Sequence, residues 1–372
     1  MREVSPFRGS FFLSKEGEKM LGISVYLGNQ QYEMEQIIAK AKKYNFQAIF
    51  TSLHIPEDDP SEYTKRLKHL GMLAQKNDMQ LFADVSPKSF SYLNMNKPKD
   101  LLDWGVSGIR LDYGYADEEV VELSKQMKIG INASTVNEAT IQKWIRLGLN
   151  VENIEAWHNF YPRPETGLDD RFLIARNQMF HQYGIATMAF IPGDNELRGP
   201  IFAGLPTLEK HRQQKPHIAC AELLFQYHVD NVFIGDVSAT ESTLSLLSLL
   251  SERIIPLRVL LYQNDESIRS LVEGVHTNRP DPARDVIRSL ESRHYAQNNG
   301  IKVNPSSAAS RLIGSVTIDN NLYGRYAGEL QITKRNLPKD ERVNVLGRIV
   351  EEDIPLIDCI GPGGKFKMMV SK

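Results

Sequence analysis

The chain has 372 residues, 41% of them hydrophobic and 24% charged, with a formal net charge of −2. That size and balance predict a soluble globular protein with one large domain and a smaller second one. Forty-four basic against 46 acidic residues exclude a whole-chain field for nucleic acid, and no run approaches the ~20 apolar residues that span a bilayer, so neither is an expected partner.

Residues 1–19 stand apart as a leader of unclear status. Their apolar stretch Phe11-Phe12-Leu13 runs straight into Lys15, Glu16 and Glu18, too short for a secretion signal, and a cytoplasmic location is expected. From Met20 a short apolar strand followed by an amphipathic helix recurs eight times. The strands are expected at residues 21–27, 48–53, 80–85, 108–112, 128–132, 151–157, 186–191 and 231–235. Helices are expected over 31–44, from about Ser61 behind Pro60, around Ile141, Trp144, Ile145 and Leu147, and over 216–228.

Eight such units match a TIM (β/α)8 barrel, and near-continuous apolar strands fit a sheet covered on both faces. A doubly wound open sheet is the rival fold, weakened because no Gly-x-Gly-x-x-Gly turn follows the first strand. Past Ile255-Pro256 the rhythm changes to short strand candidates split by turns, around 315–318, 327–332 and 343–346 with Gly361-Pro362-Gly363-Gly364. The expected division is a barrel over 20–253 and a small β-rich barrel domain over 254–372.

In a TIM barrel the active site gathers where strands end. The polar residues there are Asn29, His54, Asp84, Asp112, Asn132, Glu155 with His158 and Asn159, Asp194 and Asp236. Two loops add to them. Residues 157–168 combine aromatics, including Tyr161, with His158, Asn159 and Arg163, a mixture suited to a sugar ring carrying an anion. Residues 191–209 form a Gly/Pro-rich binding loop bearing Arg198. Neither Cys220 nor Cys359 has metal or disulfide spacing, no His-x-His or His-Glu-x-x-His pair occurs, and there is no Gly-x-Ser-x-Gly elbow. No metal or cofactor is therefore expected. Carboxylate acid–base chemistry on a glycosidic bond remains, with Asp112 and Glu155 as the catalytic pair and the other residues as substrate contacts.

Taken together, Gly22-Ile23-Ser24-Val25-Tyr26-Leu27-Gly28, His158-Asn159-Phe160-Tyr161-Pro162-Arg163 with Thr166-Gly167-Leu168, the Pro192–Pro200 loop, Ile234-Gly235-Asp236 and Tyr323-Gly324-Arg325-Tyr326 with Gly328-Glu329 resemble the MupG-type 6-phospho-N-acetylmuramidase family. The resemblance implies a TIM barrel followed by a cyclophilin-like β-barrel. It also implies cytoplasmic hydrolysis of N-acetylmuramic acid 6-phosphate–N-acetylglucosamine in peptidoglycan recycling. Such a phosphorylated amino-sugar disaccharide gives Arg163 and Arg198 two anions to hold, a phosphate and a lactyl carboxylate. Its 2-acetamido group permits substrate-assisted catalysis. Arg325 and Glu329 either reach the site or tie the domains together, and homodimer formation is left open. The competing readings are a phosphosugar aldolase or isomerase, for which no strand-end lysine is found, and a non-catalytic phosphosugar-binding protein.

Overall fold

The computed structural model describes residues 20–53, 60–93, 95, 97–263, 265–292 and 303–371. Residues 1–19, expected to be a leader, and the expected contact His54 lie outside the described residues.

Eight parallel strands close into one barrel: β1 (Met20–Ser24), β2 (Ala48–Ser52), β3 (Gln80–Val85), β4 (Gly108–Leu111), β5 (Lys128–Asn132), β6 (Ile154–Trp157), β7 (Ala186–Ile191) and β8 (Asn231–Ile234). Closure comes from β8 pairing back on β1 through Met20–Asn231 to Ile23–Ile234, which rules out the open doubly wound sheet. The crossovers carry α1 (Gln31–Lys43), α2 (Pro60–Lys76), α3 (Pro87–Tyr92), α4 (Asp117–Ser124), α5 (Glu138–Arg146), α6 (Asp170–Gln182), α7 (Pro216–Ala221) and α8 (Glu241–Ser251). They form where apolar residues recur at helical spacing. Helix α1 buries Met34, Ile38 and Ala41, and α5 buries Ile141 and Trp144 behind an Asn137 cap that accepts from the Thr140 N–H.

Several expected elements are shortened, among them the first strand, which ends at Ser24 and not at residue 27. The sixth strand begins at Ile154 because residues 151–153 make a 3-10 turn. The helix expected over 216–228 is α7 followed by one π turn, Glu222–Gln226. No helix among the described residues is long and apolar enough to cross a membrane.

The barrel interior is a separate apolar cluster of Ala48, Phe50, Phe82, Trp157, Met188, Phe190 and Phe233. Its rings need room, and glycines on neighbouring strands supply it. A Cβ on Gly22 would sit 2.2 Å from the Phe233 ring, one on Gly108 2.8 Å from Phe82, and one on Gly130 3.1 Å from Trp157. Successive strand registers stack inward side chains in layers from alternate strands. From the amino end upward these are Ala48, Gly108, Glu155 and Asn231, then Gly22, Phe82, Gly130 and Met188. Above them lie Phe50, Arg110, Trp157 and Phe233, then Ser24, Asp84, Asn132 and Phe190, and finally Ser52, Asp112, Asn159 and Gly235 at the carboxyl end.

After the barrel come β9 (Ile254–Leu261), α9 (Glu266–Val272), β10 (Gly274–Thr277), β11 (Val286–Arg288), β12 (Ser315–Asp319), β13 (Leu330–Thr333), β14 (Val343–Ile349) and β15 (Lys365–Val370). Their strands make a seven-stranded, mostly antiparallel sheet in the order β10-β15-β9-β14-β12-β13-β11. Asp353, buried in the 3-10 segment Glu351–Cys359, joins this unit to the barrel. It accepts from the Arg258 backbone at 2.8 Å and from its guanidinium at 2.7 and 3.0 Å, and it meets His217 of α7 at 3.2 Å. Cys220 and Cys359 are both buried and free.

Candidate active site

The carboxyl end of the barrel holds a buried cation, Arg110, among acidic and amide groups. Arg110 of β4 is only 4% exposed. Its Nη1 donates to Asp84 Oδ1 at 2.7 Å and meets Asp112 Oδ1 at 3.4 Å, while Nη2 donates to Asn159 Oδ1. Three strands, β3, β4 and the end of β6, thus converge through one guanidinium. The Asp112 side chain remains one-third exposed, against 14% for Asp84, so it is the carboxylate of this pair that opens more widely to the barrel mouth. Because both carboxylates touch the same nitrogen, they form a close pair. Asn132 sits in the layer of Asp84, its Oδ1 accepting from the Ser134 N–H at 3.0 Å.

The rim is built by two loops fastened together. Arg212, buried behind them, donates to the carbonyls of Tyr161 and Arg163 on the loop after β6 and of Gly204 on the loop after β7. Its charge is balanced by Glu209, held at 2.7 Å through two oxygens, and Glu209 in turn accepts from the N–H groups of Glu165 and Gly167. Tyr161 therefore lines the mouth with its N–H on the Pro206 carbonyl and its hydroxyl 3.5 Å from Ser134. The Arg212 hydrogen bond, with the two backbone donors, holds the Glu209 carboxyl down at about 2 from its ordinary 4.5. A depressed carboxyl stabilises the fold above its unfolded value and loses that contribution as pH falls through its folded value. The stability difference between the native protein and Glu209→Gln is thus expected to shrink as pH is lowered from 5 to 2, read as thermal midpoints across that range. A difference that stays constant would remove the linkage.

Opposite them, Arg198 lies over the Tyr26 ring with its guanidinium carbon 4.0 Å from the centroid. The Tyr26 hydroxyl donates to the Gly235 carbonyl, and burial pushes its phenol up to about 12. Among the described residues Arg198 makes no close ion pair with a carboxylate, although the charge of the buried Asp236 nearby acts on it.

Several expected contacts are placed elsewhere by the fold. Glu155 lies in the lowest of these layers, beneath the aromatic rings, where Trp157 Nε1 donates to it at 2.9 Å and burial raises its carboxyl above the ordinary range. The fold does not bring it together with Asp112. His158 points outward between β6 and α6. It is fully buried, bonded to Asn177 Oδ1 at 2.8 Å, and driven down to about 4 by burial, so it is neutral. Asp236 is a loop organiser that accepts from the N–H groups of Gly193, Arg198 and Leu205 at 2.8–3.0 Å. Asp194 does the same for α8 through Thr240 and Thr243. Arg163 is exposed on the rim, held through its backbone. In the second sheet, Glu329 pairs with Arg288 at 2.6 Å and Arg325 bonds and stacks on its neighbour Tyr326; neither contact touches the barrel.

Arg110, Tyr26 and the Arg212–Glu209 pair escape a reading that looks only at strand ends. The signal for Arg110 was present: a lone charge two residues before Asp112, on the same face of an otherwise apolar strand.

Residues 21–249 match the family described as 6-phospho-N-acetylmuramidase, N-terminal, and residues 255–369 match 6-phospho-N-acetylmuramidase, C-terminal. A conserved protein of unknown function from Enterococcus faecalis is similar in structure, with 37% identity and a TM-score of 0.80 over 95% of this chain and 96% of its own. An uncharacterized B. cereus protein is similar at 28% identity and a TM-score of 0.79, covering 95% of this chain and all of its own. No curated protein matches the chain.

Proposed function

The chain belongs to the 6-phospho-N-acetylmuramidase family and is a glycosidase, and from that premise we propose that it cleaves N-acetylmuramic acid 6-phosphate–N-acetylglucosamine in cytoplasmic peptidoglycan recycling. The observation that carries the mechanism is the Asp84–Arg110–Asp112 cluster at the barrel mouth.

In this reading Asp112 is the proton donor. Its carboxyl gives a proton to the glycosidic oxygen as the bond from that oxygen to C1 of the muramic sugar breaks. Water then supplies the new C1–O bond and returns a proton to Asp112. Asp84, tied by the shorter bond to Arg110 and more buried, supplies negative charge against the cation developing at C1. Glu155 takes no part, because the aromatic layers separate it from the mouth. Asn132, Asn159 and Tyr161 line the sugar, and Arg198, braced on Tyr26, holds an anionic substituent by its guanidinium.

Arg198→Met is expected to raise KM for the phosphorylated disaccharide by roughly 10- to 100-fold, the value of one or two charge-assisted hydrogen bonds. The preference over the unphosphorylated disaccharide should collapse with it. The measurement is N-acetylglucosamine release from both substrates. Equal turnover of the two by the native protein would sink the phosphate reading. An undiminished preference in the variant would move the phosphate away from Arg198.

A further inference from the structure

We infer that Arg110 is a positioning residue that fixes the Asn159 amide as a hydrogen-bond donor to the acetamido carbonyl oxygen of the muramic sugar. The identity of that sugar rests on the function proposed above.

The geometry begins with what each group can do. A guanidinium has only donors, so the amide atom of Asn159 that faces Arg110 Nη2 must be its oxygen. The Asn159 NH2 group is thereby turned away from Arg110. No described residue accepts from it, and the side chain is partly exposed at the mouth. The backbone is pinned as well, because the Asn159 carbonyl accepts from Thr207 Oγ1 at 2.9 Å and the preceding N–H, of His158, donates to the Met188 carbonyl at 2.9 Å. A donor whose two other polar groups are occupied can serve only an acceptor that arrives in the mouth.

Its place selects the acceptor. Asp112 directly follows β4 and Asn159 lies two residues beyond β6, and the single Arg110 guanidinium meets both, so they stand close together at the barrel mouth. With the Asp112 carboxyl at the glycosidic oxygen, the substituent next to C1 is the 2-acetamido group, whose carbonyl is an acceptor. Holding that oxygen sets its approach to C1, the arrangement required when the substrate's own amide assists departure of the leaving sugar.

Arg110 is an expensive residue for its position. It shares a layer with Phe50, Trp157 and Phe233, and its Nε is buried with no hydrogen-bond partner. A hydrophobic residue there would avoid the desolvation of a charge. What the guanidinium supplies in exchange is orientation, one fork nitrogen for the two carboxylates and the other for the amide.

The test is a cycle of two proteins against two substrates, the phosphodisaccharide and its analogue with a free 2-amine on the muramic residue. Asn159→Asp keeps the size and the acceptor for Arg110 but offers no donor. It is expected to lose roughly 100-fold in kcat/KM on the acetylated substrate. The native protein should lose at least as much on the deacetylated analogue, and the variant on that analogue should lose little more, so the two changes are not additive. Arg110→Lys retains the charge beside Asp84 but not the fork. It should lower kcat on the acetylated substrate with KM changed only a few-fold, and again show little further effect on the analogue. A purely structural role would show instead as equal proportional losses on both substrates.

Multiplicative losses for Asn159→Asp, or native-like turnover by that variant, overturn the inference while leaving the substrate reading intact. Failure of the native protein to cleave the phosphodisaccharide overturns the substrate reading and the inference with it. Thermal midpoints of both variants, compared with the native protein, show whether either has failed to fold.

Discussion

Asp112→Asn is expected to lower kcat by roughly 100- to 10,000-fold, the range typical for removal of a positioned acid–base group, with substrate affinity changed only a few-fold. The amide fills the same space and still meets Arg110 through its oxygen, so the mouth keeps its shape and loses only the transferable proton. Glu155→Gln is the informative companion. Glu155 lies beneath Trp157 and the ring layer above it, on the far side from Asp112. Its replacement is expected to leave kcat within a few-fold of native. Both are read as N-acetylglucosamine released from the phosphodisaccharide, with binding followed separately by calorimetry on the slow variant. The reverse outcome, an inactive Glu155→Gln beside an active Asp112→Asn, would transfer the acid role to Glu155 and overturn the assignment made from the barrel layers.

Trp157→Ala is expected to destabilise the protein by about 3–5 kcal/mol, the usual cost of removing a large buried aromatic side chain. The indole is fully buried, with ring centroids 5.0 Å from Phe82, 5.3 Å from Phe233 and 5.8 Å from Phe50. Glycine at position 130 lets the neighbouring strand approach it, and a rigid barrel cannot collapse around the space left behind. Truncation also strips Glu155 of its Nε1–H donor at 2.9 Å, leaving a buried carboxyl short of a partner. Urea unfolding should show a lower midpoint with little change in slope. Phe202→Ala on the exposed loop after β7 provides the contrast, with a change within about 0.5 kcal/mol. A loss below about 1 kcal/mol at Trp157 would mean that the interior rings do not act as one packed plug.

Much of this organisation is legible along the chain. The apolar runs of β1 to β8 and the helical spacing of Met34, Ile38 and Ala41 follow from local chemistry, as does the change of texture at Ile255, since β9 already belongs to the second sheet. The loops around Tyr161 and Arg198 are recognisable from composition, and both form the rim. Less legible is what each polar side chain does once there. Asp236 and Asp194 are strand-end carboxylates by sequence, yet their oxygens are taken by backbone N–H groups and threonines of the neighbouring loop and helix. His158 reads as a donor in a polar loop, but alternation along β6 turns it outward, since its neighbours Trp157 and Asn159 face in.

By itself, then, the sequence determined the strands, the helices, the eightfold rhythm and the set of polar residues from which a site is chosen, because these depend on periodicity and local propensity. Only the tertiary structure decided which of those residues meet. Glu155 and Asn159 are four residues apart, both inward on the same strand direction, and indistinguishable by pattern. The tilt and stagger of a closed barrel place one below the aromatic layers and the other above them beside Asp112. That height is a property of registers between strands, and so is the position of Arg110, whose guanidinium joins β3, β4 and the end of β6 at the point where the chemistry is proposed.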